Sequence, residues 1–73
     1  AERGVAPGAL AHRALIKRDR GDLEGASRDV EAALRIDPEL SRAYLVRAGL
    51  HVARDDLRGA LADLDRAVEH DPE

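Results

Sequence analysis

The chain repeats itself with a period of 34 residues, and the match needs no gap anywhere along its length. The two copies agree at small residues, at charged residues and at a turn signal, so alanine-rich composition is a poor explanation for the match. A repeat of this length is one supersecondary unit that cannot bury its apolar side alone, so neighbouring units must stack. The identical pairs are Ala9 and Ala43, Arg13 and Arg47, Ala14 and Ala48, Arg20 and Arg54, Asp22 and Asp56, Leu23 and Leu57, Gly25 and Gly59, Ala26 and Ala60, Asp29 and Asp63, Ala33 and Ala67, and the runs Asp37-Pro38-Glu39 and Asp71-Pro72-Glu73.

Each copy has the pattern of two helices joined by a short turn, with apolar residues at helical spacing. We therefore predict an all-α fold of four helices, over residues 7–19, 23–36, 41–54 and 57–70. Residues 1–6 form a leader, residues 7–40 the first repeat and residues 41–73 the second.

The breaks between these helices carry recognisable turn and cap residues. Gly21 accepts a positive φ and Asp22 can cap the next helix, whereas the second copy has Asp55-Asp56 at the same place. Pro38 ends the second helix, since proline restricts the residue before it. Ser41 is predicted as the N-cap of the third helix.

Charge and composition exclude several classes of function. The net charge is -3 with both signs mixed along the chain, and Tyr44 is the only aromatic residue. Nucleic-acid binders carry a basic stripe, and single-strand binders add stacking aromatics, so neither is expected here. No segment approaches the roughly 20 apolar residues that span a bilayer. With no cysteine, neither disulfides nor thiolate-bound zinc can stabilise the chain.

The pattern of small residues and prolines resembles the tetratricopeptide repeat family, over about residues 7–73. The resemblance implies antiparallel helix hairpins stacked into a fragment of a right-handed superhelical α-solenoid. The departures are Lys17 and His51, where the family usually has tyrosine, and Asp55, where it has glycine. Residues that match the family pattern are Ala14, Ala26, Val30, Ala33 and Pro38 in the first copy, and Tyr44, Ala48, Ala60, Leu64, Ala67 and Pro72 in the second.

The apolar and small residues of the repeat are predicted to form the core. Ala14 should meet Ala26, and Ala48 should meet Ala60, because larger side chains would force the two helices of a hairpin apart. Leucine, valine and tyrosine side chains should fill the layers between helices: Leu10, Leu23, Val30, Leu34, Tyr44, Leu57, Leu64 and Val68.

Arg13 and Arg47 stand at an inward position where an arginine needs a carboxylate. Asp29 and Asp63 recur in step with them, and an ion pair that fixes hairpin geometry is favoured over a polar pair in a ligand groove. Arg47 could pair with Asp29 across the repeat boundary or with Asp63 in its own hairpin. If the pairs are structural, Arg47→Leu should be tolerated and alanine at the aspartates should cost more.

The sequence predicts no enzyme and no cofactor or metal site. No histidine stands in an obvious relation to Ser27 or Ser41, and the turn carboxylates are explained by helix capping. No two histidines have the spacing of a helical metal pair, and His51 is interpreted as a core-edge substitute for tyrosine. No phosphate-binding loop motif is present.

The resemblance implies recognition of a protein or peptide partner on a concave face made by the first helix of each repeat. Some relatives grip a C-terminal carboxylate from this face, but the corresponding positions here, among them His12 and Val46, keep one basic residue at most. An apolar or amphipathic peptide suits the face better. The predicted contact residues are Ala11, Leu15, Arg18, Arg42, Leu45, Gly49 and Val52.

The last helix has an apolar side with no visible cap, although terminal repeats usually carry a polar outer face. Its predicted contacts, with a further repeat or a second copy of the chain, are Leu61, Leu64, Ala67 and Val68. Self-assembly is therefore the alternative function. The compartment stays open, with a soluble cytoplasmic location favoured over secretion.

Overall fold

The computed structural model describes residues 4–70, with only the backbone of His70 included. Four α-helices account for most of this range, and residues 4–70 contain no strand, so the predicted all-α fold is confirmed. The predicted bounds agree to within one residue. The helices are α1 (Pro7–Asp19), α2 (Leu23–Ile36), α3 (Ser41–Ala53) and α4 (Leu57–His70).

The helices form two hairpins, α1 with α2 and α3 with α4, and α3 joins them by packing on both α1 and α2. Only three residues separate the helices within each hairpin, so the paired helices are antiparallel. The predicted repeats, 7–40 and 41–73, each enclose one hairpin. Residues 1–3 of the predicted leader and residues 71–73 lie outside the described range.

The two turns within the hairpins use the same backbone conformation with different residues. Gly21 has φ +86° and Asp55, one period later, has φ +61°. Aspartate is one of the few residues with a side chain that enters this left-handed region at moderate cost. The next aspartate caps the following helix in both hairpins: Oδ1 of Asp22 accepts from the Gly25 amide at 2.9 Å, and Oδ1 of Asp56 accepts from the Gly59 amide at 3.0 Å.

Ser41 begins α3 as predicted, but the prediction that it caps this helix is wrong. The N-cap position belongs to Leu40, which makes no side-chain cap. The Ser41 hydroxyl instead donates to the carbonyl oxygen of Ala67 at 3.2 Å, linking the start of α3 to α4. A hydrogen bond stabilises the connection before α3: the Tyr44 hydroxyl donates to the Pro38 carbonyl at 2.6 Å.

The core lies among α1, α2 and α3. The four alanines predicted at the helix crossings, Ala14, Ala26, Ala48 and Ala60, are all buried, so the helices of each hairpin approach closely. The residues of this core are Leu10, Ala11, Ala14, Ala26, Val30, Ala32, Ala33, Ala43, Val46 and Leu50, with Leu23 and Leu34 half-buried against them.

One side of α4 differs from this pattern. Leu57, Leu64 and Val68 were expected to fill the layers, yet they are exposed together with Leu61. None of the described helices packs on that side of α4. Ala67 is already buried within its own hairpin, so it does not belong to the exposed surface.

Candidate functional site

A cleft of about 470 Å³ opens between α1 and α3. These two helices are the first members of the two hairpins and pack side by side, so their outward side chains converge on one face. The cleft combines an apolar floor with cationic edges. Its lining residues are His12, Leu15, Arg18, Arg42, Leu45 and Val46.

Four of the seven predicted contact residues line this cleft: Leu15, Arg18, Arg42 and Leu45. Val52 is exposed one to two turns further along α3. Ala11 is fully buried in the core, so the prediction that it contacts a partner is wrong. Ala11 stands at a position that contacts ligands in the family it resembles, but here its small side chain is buried between the helices.

Gly49, another predicted contact residue, serves as a floor for Arg18. The Arg18 guanidinium crosses from α1 to α3 and lies so close to Gly49 that a Cβ at that position would overlap Nη1. Arg18 also has Nη2 3.5 Å from Oδ1 of Asp19. With glycine at position 49, the Arg18 guanidinium lies directly against α3 at the cleft.

Two lining residues, His12 and Val46, were not among the predicted contact residues. They stand at positions that correspond to the carboxylate grip of some tetratricopeptide-repeat proteins, and both face the cleft here. His12 and Val46 are one period apart, so they take equivalent positions on α1 and α3. The repeat could therefore have identified them together as residues of one face.

The arginine–aspartate pairs stay within their own hairpins. Nε and Nη2 of Arg13 donate to the two carboxylate oxygens of Asp29, each at 2.9 Å. Arg47 makes the same two bonds to Asp63, each at 3.0 Å. This bidentate geometry on buried aspartates confirms the structural ion pairs and settles the open choice of partner for Arg47.

Arg47 has a further contact that crosses the boundary between the hairpins. Its Nη1 donates to Oε2 of Glu31 on α2 at 3.2 Å. The hydrogen bond that Arg47 donates to Asp63 is the main cause that raises the pKa of Arg47, and the bond to Glu31 adds to it. The guanidinium therefore stays charged and joins α3 to both neighbouring helices.

A second basic residue reaches each aspartate, which the sequence reasoning missed. Lys17 Nζ lies 3.0 Å from Oδ2 of Asp29. His51, one period later, has Nε2 3.1 Å from Oδ2 of Asp63 and Nδ1 3.1 Å from Oδ2 of Asp56. His51 is therefore a polar partner of two carboxylates, and its interpretation as a plain packing substitute for tyrosine is incomplete.

The pKa of Asp29 is lowered from its ordinary value, chiefly by the hydrogen bond from Arg13. Burial opposes this shift, and the hydrogen bond from Lys17 reinforces it. Both aspartates therefore have their hydrogen-bond partners within the fold, which does not favour a role in binding a ligand.

Within the described residues, no group of three or more histidine, cysteine, aspartate or glutamate side chains could hold a metal ion. None of the helices in that range is long and apolar enough to cross a membrane. Comparison with protein-family models, with curated proteins and with solved structures found no match. What the chain does must therefore be inferred from its repeat, its fold and its cleft.

Proposed function

We propose that the chain is a pair of tetratricopeptide-type repeats that holds a peptide or helix of a partner protein on its concave face. The gap-free period of 34 residues and the two helix hairpins in register with it support the repeat assignment. The proposed solenoid arrangement makes α1 and α3 the inner helices. The function is that of a non-catalytic scaffold.

The cleft between α1 and α3 is the observation that carries this proposal. Its volume of about 470 Å³ is in the range of sites that take a few buried side chains of a ligand. Leu15, Leu45 and Val46 give it an apolar floor, and Val52 continues the apolar strip along α3. Such a strip suits residues that project from one side of an amphipathic helix.

The charged edges of the cleft indicate which polar residues a partner would carry beside its apolar ones. Arg18 and Arg42 stand at its rim, and none of the described residues that line it carries a carboxylate. Carboxylates that flank the apolar residues of a partner helix would meet these arginines. Such charge pairs orient the partner and speed its association more than they raise its affinity.

A displayed library of amphipathic helical peptides, selected against the folded chain, tests the proposal. Selected peptides should shift the NMR signals of Leu15, Leu45 and Val46. Leu45→Asp and Val52→Asp should weaken binding by at least about tenfold, because a carboxylate would be desolvated against the apolar peptide. Both side chains are largely exposed, so the fold should survive.

Ala62→Glu provides a matched control, since it adds the same charge at an exposed position of α4 outside the cleft lining. It should leave peptide binding unchanged. Selected peptides that map to α4, or that bind Leu45→Asp as tightly as the parent chain, would contradict the proposal.

A second candidate function is self-assembly, and the exposed apolar side of α4 favours it. Four large apolar residues lie on one side of this helix: Leu57, Leu61, Leu64 and Val68. Contiguous apolar patches of this kind mark interaction surfaces in soluble proteins.

A further inference from the structure

The two hairpins pack on each other through α2 and α3. The residues on both sides of this contact have repeat equivalents, on α4 and on α1. We call it the internal joint: α3 packs on α2, with Ala43, Val46 and Leu50 of α3 in the same core as Val30 and Ala33 of α2. The Arg47–Glu31 ion pair, at 3.2 Å, crosses it.

A shift of one period maps the α2 side of the internal joint onto α4. Val30 is fully buried, whereas its equivalent Leu64 is 41% exposed. The half-buried Leu34 corresponds to the exposed Val68. Leu64 and Val68 of α4 thus occupy the positions of Val30 and Leu34, which on α2 lie in or against the core shared with α3.

The reverse shift maps the α3 side onto α1. Leu50 is 1% exposed, whereas its equivalent Ile16 is 40% exposed. The buried Ala43 corresponds to the exposed Ala9. Each end of the molecule therefore displays one half of a contact that is already formed in its middle.

The charges of the internal joint map in the same way. Glu31 corresponds to Asp65, which is exposed on α4, and Arg47 corresponds to Arg13 on α1. Arg47 reaches Glu31 while it keeps both bonds to Asp63. Asp65 on α4 therefore offers a carboxylate at the place that Glu31 occupies in the internal joint.

We propose that copies of the chain associate head to tail, with α1 of one copy packed on α4 of the next in the register of the internal joint. The two surfaces differ, so the contact is heterologous and does not close; it builds open chains of copies. The proposal deepens the second candidate function, self-assembly, by naming the two surfaces that meet, one on α1 and one on α4. It does not depend on the cleft.

Sedimentation equilibrium from about 10 μM to about 1 mM, a range that covers weak association, tests the register. The average mass should rise with concentration beyond that of a dimer. Ile16→Glu and Leu64→Glu should each weaken association by at least about tenfold, because each puts a carboxylate into the apolar contact.

A mixture of the two variants separates this arrangement from others. Ile16→Glu keeps a competent α4 surface and Leu64→Glu keeps a competent α1 surface, so the mixture should form a heterodimer that grows no further. A symmetric dimer through α4 alone would instead leave Ile16→Glu able to dimerise and the mixture without a gain. That result, or a parent chain that stays monomeric over the whole range, would overturn the proposal.

Matched variants control for charge and for folding. Ala62→Glu should assemble like the parent chain, because its equivalent Arg28 remains exposed beside the internal joint. Asp65→Glu, which copies Glu31, should be neutral, and Asp65→Arg should lower the association constant about two- to fivefold, because it puts a basic residue at the place that the acidic Glu31 occupies in the internal joint. If Leu64→Glu loses helicity, Val68→Glu replaces it, since Val68 is more exposed.

Peptide binding in the cleft should be unchanged in Ile16→Glu and Leu64→Glu, since neither residue lines it. Failure of head-to-tail association therefore leaves the proposed peptide-binding function untouched. Failure of peptide selection likewise leaves the association test valid.

Discussion

The Arg47–Asp63 pair predicts an unequal response when either partner is removed. The Asp63 side chain is 5% exposed and that of Arg47 is 23% exposed. Arg47→Leu leaves an almost fully buried carboxylate whose remaining basic partner, among the described residues, is His51. Asp63→Ala leaves a guanidinium that reaches water and keeps Glu31. We therefore expect Arg47→Leu to be the more destabilising change.

The magnitudes follow from the burial of the two groups. Removing one partner of a fully buried pair costs about 3–5 kcal/mol of unfolding free energy. The remaining bond from His51 and the partial exposure of the site reduce this to about 2–3 kcal/mol for Arg47→Leu. Asp63→Ala loses charge-assisted hydrogen bonds but strands no buried charge, which gives about 1–2 kcal/mol. The Arg47→Leu/Asp63→Ala double variant should be close to Asp63→Ala alone.

Urea denaturation followed by circular dichroism at pH 7 measures these differences. A difference of 1 kcal/mol corresponds to about 4–8 °C in Tm for a chain of this size. Asp63→Asn controls for side-chain volume. In the first hairpin, Arg13→Leu should cost about 1 kcal/mol less than Arg47→Leu, because the amino group of Lys17 remains beside the Asp29 carboxylate, whereas Asp63 keeps the weaker base His51. If Arg47→Leu is milder than Asp63→Ala, as the sequence alone predicts, the reasoning from burial is wrong.

Three further predictions concern the turns and the first ion pair. Asp55→Gly should raise the unfolding free energy by about 0.5–1 kcal/mol because it removes a left-handed residue with a side chain; a lower Tm would contradict this. Asp22→Ala should cost about 1 kcal/mol and speed hydrogen exchange at the Gly25 amide, which it caps; unchanged exchange would argue against the cap. The folded pKa of Asp29 is depressed by Arg13, so its stabilising contribution is present above the unfolded pKa of about 4 and is lost as the pH falls through the folded value. Asp29→Asn should flatten this acid limb of the stability curve, and an identical limb in the variant would refute the assignment.

The helices were predictable because their signals are local. The 34-residue period, Gly21 and the Asp-Pro runs place every helix end to within one residue. The choice of partner for Arg47 was not predictable in this way. Asp29 and Asp63 are equivalent in the repeat, and only the packing of α3 against α4 decides which carboxylate Arg47 meets.

Three predictions for small residues depended on packing that the sequence pattern does not encode. Ser41 satisfies the local rule for a cap, yet its hydroxyl bonds to Ala67 on α4. Ala11 stands at a contact position of the family but is fully buried, and Ala67 is buried by its own hairpin. A small side chain at a helix surface is exposed or buried according to what lies beside it, so its position in the repeat alone cannot decide.

The second basic residue on each aspartate was predictable from the sequence. Lys17 follows Arg13 by four residues on α1, and His51 follows Arg47 by four residues on α3, so each pair shares one helix face. Both residues also replace the tyrosine expected from the family resemblance. Two basic departures at one repeat position, on the face that already carries an arginine, indicate a shared carboxylate partner. The distances from Lys17 to Asp29 and from His51 to Asp63, 3.0 and 3.1 Å, fit that interpretation. Polar contacts to a buried aspartate thus take the place of aromatic packing in both hairpins.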